Sequence, residues 1–398
     1  MAKLTIKDVD LKGKTVLMRA DFNVPITNGK ITDDNRIVQA LDTIKYILGK
    51  GAKLVLTSHL GRPGGSPDPE FSLKPVAEHL ATLIDQKVHF APDCIGQDAE
   101  NVVANANRGE VVLLENVRFH AGEKKNDPEF SKQLAAHADL FVNDAFGSSH
   151  RAHSSVAGVT EFLKPSVSGF LLEKEIAYLN DSVNNPTRPF VAILGGAKVS
   201  DKIGVIENLL DKVDSIIIGG GMTYTFYKAK GLPIGDSLVE EDKIELAGEL
   251  ISKAREKGID LLLPVDSVVA KEFKNDAENK IVGEDGIEEG WMALDIGPKS
   301  VKLFSERILD AKTIVWNGPM GVFEMESFSE GTFKVAEALA EATSQGAVTI
   351  IGGGDSASAI KEAGLEHKVS HVSTGGGASL EFLEGKELPG VAALSDKN

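Results

Sequence analysis

Val348-Thr349-Ile350-Ile351-Gly352-Gly353-Gly354-Asp355-Ser356-Ala357 is an apolar run that breaks into a glycine turn and resumes as small, helix-compatible residues. The run predicts a buried strand, the glycines a tight turn, and the stretch beyond them a helix. A helix that starts at such a turn presents unpaired backbone N–H groups and the positive end of its dipole, both of which attract phosphate oxygens. The same order recurs at Phe190–Leu194, which runs into Gly195-Gly196-Ala197-Lys198-Val199-Ser200-Asp201-Lys202, and at Ser215–Ile218, which runs into Gly219–Gly221. A third triplet stands at Gly375–Gly377.

Outward from these turns, short apolar runs alternate with helical patterns almost throughout. Strands are predicted at Thr15–Met18, Lys53–Thr57, Val111–Leu114, Leu140–Asn143, Phe190–Leu194, Ser215–Ile218, Asp260–Leu263, Thr313–Trp316 and Val348–Ile351. Helices are predicted at Arg36–Gly49, Asp201–Asp214, Glu240–Lys257 and Gly331–Ser344. This alternation indicates βαβ units with right-handed crossovers, and so parallel sheets. At 398 residues the chain exceeds what one core holds, which predicts two doubly wound, Rossmann-like α/β domains. The expected boundaries are 1–168 and 186–379, joined by a long interdomain helix and hinge over 169–185; Asn184-Asn185-Pro186-Thr187-Arg188-Pro189 reads as a linker.

Charge and side-chain chemistry change across that divide. Residues 1–185 carry 21 Lys and Arg against 24 Asp and Glu, a net −3, whereas residues 186–398 carry 22 against 35, a net −13. Such an acidic chain is a poor partner for nucleic acid or an anionic membrane. Yet six of nine arginines and seven of nine histidines lie in residues 1–160, which suits a compact phosphorylated metabolite. Cys94 is the only cysteine, so no internal disulfide forms; with no apolar signal core and no membrane-length run, a cytoplasmic protein is expected.

Four clusters carry the basic half: Arg19–Pro25 with Arg36 downstream, Ser58–Gly65, Glu115–His120 and Asn143–His153. A lone loop arginine is usually a solvated surface charge. Arg36, His59, Arg62, Arg118 and Arg151, however, all fall where loops leave strand ends, the edge at which open parallel sheets collect ligands. Asp21 and Asn23 suit the hydroxyl of such a ligand. No G-x-S-x-G elbow supports a serine nucleophile, and no H-E-x-x-H or paired-cysteine pattern supports a metal centre. His79, His89, His137, His367 and His371 are read as structural or surface residues.

In the glycine-rich half the Walker pattern is missing. Lys198 and Lys202 are one turn apart and share a face if a helix starts nearby, an arrangement suited to polyphosphate. Asp355 beside a phosphate-binding turn suggests a shared Mg²⁺, although a helix cap explains it equally. Gly352–Ala357 also fits a loosened dinucleotide fingerprint, but Ser370–Gly377 supplies no carboxylate for a ribose, which argues against a dehydrogenase.

Nine segments in order (Asp21–Pro25, Ser58–Pro63, Arg118–His120, Asn143–His153, Gly195–Lys202, Gly219–Met222, Trp316–Glu324, Gly352–Ser356 and Ser373–Ser379) resemble the phosphoglycerate kinases, over essentially the whole chain. The resemblance implies reversible, in-line transfer of the acyl phosphate of 1,3-bisphosphoglycerate to Mg-ADP, with domain closure. It implies that Asp21, Asn23, Arg36, His59, Leu60, Gly61, Arg62, Arg118, His150 and Arg151 hold the glycerate substrate. Lys198, Lys202, Gly219, Gly220, Ala293, Leu294, Asn317, Glu324, Gly353, Gly354, Asp355 and Ser356 are implied to bind the nucleotide, with Mg²⁺ on Asp355. Some members of that family carry Gly where Ala293 stands. The resemblance further implies that Arg36 and Lys198 meet the migrating group, that the amides of Gly375 and Gly376 assist, that residues 380–398 return to the first domain, and that the protein is a monomer. A non-catalytic sensor of a phosphorylated metabolite is the rival reading; it predicts indifference to loss of Lys198.

Overall fold

The computed structural model describes residues 2–397. The chain divides into two compact units: Met1–Ile176 with Glu387–Asn398, and Ala177–Lys386. The division falls inside one helix, Phe170–Asn184.

The first unit is built on six parallel strands: β1 (Thr15–Arg19), β2 (Lys53–Thr57), β3 (Val88–Ala91), β4 (Val111–Leu114), β5 (Leu140–Asn143) and β6 (Ser166–Ser168), in the order β3-β4-β2-β1-β5-β6. Helices cover both faces, so the strands are apolar on both sides rather than alternating. Along β1, Val16 and Met18 join one core with Leu54, Leu56, Val111 and Leu113. Leu17 points the other way and joins Val55, Val112, Leu114 and Phe141. The returning segment completes this unit: Leu4 N donates to Ser395 O (2.8 Å), Gly390 N to Ser149 O (2.8 Å), and Asn143 Nδ2 to Gly390 O (2.9 Å).

The second unit has its own six-stranded parallel sheet, from β7 (Phe190–Leu194), β8 (Ser215–Ile218), β9 (Asp260–Leu262), β13 (Thr313–Asn317), β14 (Val348–Gly352) and β15 (His371–Val372), ordered β9-β8-β7-β13-β14-β15. That is the doubly wound arrangement in which the first and fourth strands flank the topological switch point. A three-stranded antiparallel sheet, β10 (Asp266–Ala270), β11 (Asn279–Gly283) and β12 (Met292–Ile296), is inserted between β9 and β13.

Several expected elements shift. The helix expected over Arg36–Gly49 is two helices, Asn35–Gln39 and Leu41–Gly49, joined through Ala40 at ψ −10°. The helix expected from Asp201 begins at Ile203. Lys198 therefore sits before the helix and Lys202 is its cap residue, so the two do not share a helical face. Two further helices start inside glycine triplets, Gly354–Glu362 and Gly376–Leu383.

Candidate active site

In the first unit the four loops singled out above leave the four adjacent strands β4, β2, β1 and β5 at their carboxyl ends. Beneath them lies a buried polar frame. The Arg19 guanidinium is 1 % exposed; its Nε donates to Ser155 Oγ (2.8 Å) and its amino groups reach Ala20 O, Ser148 Oγ (3.4 Å) and His59 Nδ1 (3.0 Å). Glu123, wholly buried, accepts from Ser155 N (2.9 Å) and Ser155 Oγ (2.7 Å) and offsets that charge.

On this frame sit the candidate ligands. Burial holds His59 well below the usual histidine range, and the Arg19, Arg118 and Arg36 charges push the same way. His59 is therefore neutral near pH 7. Because Arg19 donates to Nδ1, its proton lies on Nε2, which remains a donor. His153 is pushed down to about 4, by burial first and then by Arg118. Arg36 pairs with Asp21 (3.1 Å). Asn23 Oδ1 accepts from Gly61 N (2.8 Å), and Arg118 donates to Gly61 O (2.8 Å) while its Nε is buried with no partner among the described residues. Leu60 is buried, with its carbonyl held by Asn116 Nδ2 (2.7 Å). Arg62 and Arg151 are exposed and His150 is half-buried. One end of the sheet thus gathers cations and neutral donors with few carboxylates to answer them, a setting for a multiply charged anion.

Asp93, Cys94 and His120 are the one group of metal-ligand types close enough to share an ion among the described residues. Asp93 Oδ1 already accepts from His120 Nε2 (2.6 Å) and Cys94 N (2.6 Å), and burial pushes the Cys94 thiol well above its usual range. The group is a hydrogen-bonded support under the Arg118 turn.

The second unit's edge is made of main chain. Gly195 N donates to Asn317 O (3.0 Å), Gly196 N to Pro319 O (3.1 Å), Gly220 N to Met320 O (2.9 Å) and Met222 N to Gly196 O (3.0 Å). A Cβ on Gly195 would lie 2.0 Å from Pro319 O, so only glycine permits this approach. The amides of Gly219 and Gly220 are thereby committed to the frame rather than open to phosphate. Beside them, Met320 Sδ would lie 2.4 Å from a Cβ on Gly219, Val322 N donates to Leu294 O (2.9 Å), and Ala293 N donates to Ser237 Oγ (2.9 Å). Ala293 and Leu294 are buried on β12, and Glu324 is exposed two residues beyond Val322.

At the other end of this edge, Gly353 has φ +92°, a conformation suited to glycine, and caps the helix Gly354–Glu362. A Cβ on Gly376 would lie 3.2 Å from Gly354 N, so two helix N-termini abut here. Ser356 Oγ accepts from Gly318 N (2.6 Å). Lys202 Nζ donates to Asn317 Oδ1, while Asn317 Nδ2 is buried with no partner among the described residues, 3.2 Å from where a Cβ on Gly353 would stand. Burial pulls the Lys202 ammonium below its usual value, against the opposing pull of Asp201 and Asp355. Paired helix ends, a lysine and an orphaned amide form an anion cradle. Lys198 is exposed and has no hydrogen-bond or ion-pair partner among the described residues. Asp355, exposed in the first turn, is a single carboxylate of the kind that holds Mg²⁺ jointly with substrate phosphates and water.

A family model described as phosphoglycerate kinase matches residues 6–386. The chain belongs to the phosphoglycerate kinase family. It is 58 % identical to the phosphoglycerate kinase of Fervidobacterium nodosum over 398 residues, covering all of this chain and 99 % of that protein. It is 60 % identical to that of Thermosipho africanus, with the same coverage. Among solved structures, phosphoglycerate kinase from Coxiella burnetii superposes with a TM-score of 0.89 at 42 % identity, and that from Pyrococcus horikoshii with 0.84 at 34 %; each comparison covers 98 % of both chains. As a phosphoglycerate kinase family member the chain is a phosphotransferase whose acceptor is a carboxyl group, acting on small molecules with ATP and ADP as its nucleotides. Among the described residues no helix is long and apolar enough to cross a membrane.

The sequence places Arg19 in a basic cluster without revealing its supporting role, and gives no sign of Glu123. A strand-end arginine looks like one more ligand donor, and only its burial distinguishes it.

Proposed function

We propose that the first unit binds the glycerate substrate, through Asp21, Asn23, Arg36, His59, Arg62, Arg118, His150 and Arg151, and that the second binds the nucleotide. Leu60 and Gly61 shape the glycerate side. Ala293, Leu294, Gly219 and Gly220 flank the base, Glu324 takes the ribose, and Lys202, Asn317 and Gly353–Ser356 take the phosphates. The carrying observation is the contrast in anion chemistry: convergent guanidinium groups over a neutral His59 in one unit, and abutting helix N-termini with the orphaned Asn317 amide in the other.

Transfer of a phosphoryl group through a loose, in-line transition state asks for positioning and positive charge rather than for a covalent intermediate. A neutral, buried His59 that is already accepting from Arg19 is a donor to substrate, not a nucleophile. Arg36 and Lys198 neutralise charge on the migrating group, and the amides of Gly375 and Gly376 add fixed dipoles. Mg²⁺ held by Asp355 and the nucleotide phosphates would supply Lewis-acid charge neutralisation. Because Arg36 and Lys198 belong to different units, turnover depends on a closing step that also expels water. A monomer in the cytoplasm, without a nucleic-acid partner, completes the proposal; net −16 and a single buried cysteine support it.

ATP consumption dependent on 3-phosphoglycerate, in a coupled assay, tests this. The wild type turns over, and Lys198→Ala loses about a hundredfold or more in kcat with ligand binding by calorimetry retained. No wild-type turnover, or an unimpaired Lys198→Ala, overturns it.

A further inference from the structure

The helix Phe170–Asn184 carries the chain from one unit to the next, and its first-turn N–H groups have no carbonyl within the helix to accept them. All four, counted from the cap residue Gly169, are satisfied by residues far away in sequence. Gly169 N donates to Asn143 O (2.9 Å), Phe170 N to Thr43 Oγ1 (3.0 Å), and Leu171 N and Leu172 N to Asp144 Oδ1 (2.9 and 3.1 Å). Asp144 is completely buried at the end of β5, with its own N–H on Arg19 O (2.9 Å). A Cβ on Gly169 would lie 2.3 Å from Asp144 Oδ1, so the glycine is what lets helix and carboxylate meet.

The same residue opens the loop that leads to His150 and Arg151. Its neighbour Asn143 stiffens that loop, accepting from Ala145 N (3.1 Å) and donating to Ser149 Oγ (3.1 Å). A chain of short bonds therefore runs from the start of the helix through Asp144 and Asn143 to the residue before His150. Burying a carboxylate is costly, and burial pushes Asp144 up to about 7 despite its amide donors. A local Ser or Asp at the cap position would satisfy the same amides near the surface at lower cost. What the buried carboxylate adds is the connection.

We propose that Asp144 is a positioning residue for the phosphoryl-transfer reaction: it staples the first turn of the helix Phe170–Asn184 to the loop that bears His150 and Arg151. This rests on the reading that those two residues hold the glycerate substrate. Since Asp144 Oδ2 is buried with no hydrogen bond among the described residues while Oδ1 does the accepting, an amide at this position keeps the staple and a methyl group does not.

The test is steady-state kinetics of the full chain with separate titrations of 3-phosphoglycerate and ATP. Asp144→Ala raises the KM for 3-phosphoglycerate about tenfold, the factor a lost helix cap of ordinary strength carries. The KM for ATP stays within about twofold. Asp144→Asn stays within about threefold of wild type in both, and Gly169→Ala, which leaves the carboxylate in place, reproduces Asp144→Ala. A purely structural role would lower the active fraction, and so kcat, and leave both KM values alone. Unchanged KM values, KM values that move together, or an Asp144→Asn as impaired as Asp144→Ala overturn the proposal. Should Asp144→Ala and Gly169→Ala both fail to fold, Thr43→Val is read in their place, with a smaller shift expected in the same single KM and none overturning it. A wild type lacking 3-phosphoglycerate-dependent turnover would instead refute the underlying assignment of function.

Discussion

The two sheets gather loops at the same edge, the carboxyl ends of their strands, but build it from different material. In the first unit, charged side chains stand on a buried polar frame of Arg19, Glu123 and Asp144. In the second, backbone packs on backbone and two helix N-termini abut at the edge. Side-chain recognition is adjustable and depends on what holds each group in place. Main-chain recognition is rigid and fails at the first Cβ in the wrong place.

The strongest way to break this comparison is Arg36→Ala. We expect about a thousandfold loss of kcat/KM for phosphoryl transfer with little change in thermal stability, because the side chain is half-exposed. A loss confined to stability would show that the first edge is a scaffold like the second. Next in size is Arg19→Met, which leaves Glu123 buried with its charge less compensated. It should cost about 3 kcal/mol in denaturant unfolding and weaken 3-phosphoglycerate binding, since His59 loses the donor that fixes its tautomer. Gly195→Ala probes the other edge: about 2 kcal/mol of stability and weakened nucleotide binding, with glycerate binding intact in calorimetry, because Cβ and Pro319 O would collide.

The smallest effect is on pH dependence. Asp295, buried under the start of the helix Glu330–Ser344, accepts from Gly331 N (2.7 Å), and burial raises it to about 7 from an ordinary 3.8. The folded chain thus holds this proton where the unfolded chain has lost it. The resulting stabilisation is fully present below about pH 4 and is lost as the pH rises through about 7. Between pH 6 and 8 the wild type should lose about 1 kcal/mol more than Asp295→Asn, measured by unfolding at each pH. Parallel curves would show that Asp295 is ionised throughout.

What the sequence made legible follows from the same contrast. Strands buried on both faces read as unbroken apolar runs, so β2, β4, β5, β7 and β8 were found to the residue. Ser166–Ser168 and His371–Val372 are short and polar, and β10–β12 carry Asp266, Lys280 and Asp295 inside them, which hides their period. The cations of the first edge were visible as residue types. Their buried supports were not, because nothing sets Arg19, Glu123 and Asp144 apart from ligand-facing or surface charges until tertiary packing encloses them. Glycine in the second unit has two structural uses that the sequence does not separate: Gly195, Gly219 and Gly220 serve contact between strand ends, and Gly354 and Gly376 start helices.

The first unit is discontinuous, closing on Gly390 and Ser395 after the 210 residues of Ala177–Lys386 have intervened. A ribosome adding about 5–20 residues per second takes about 10–40 s to make that stretch. Throughout that interval the amide of Asn143 and the carbonyl of Ser149 wait for Gly390, and Leu4 N waits for Ser395. The second unit, continuous in sequence, can therefore mature while the first still lacks these hydrogen bonds, which form only once the returning segment has been made.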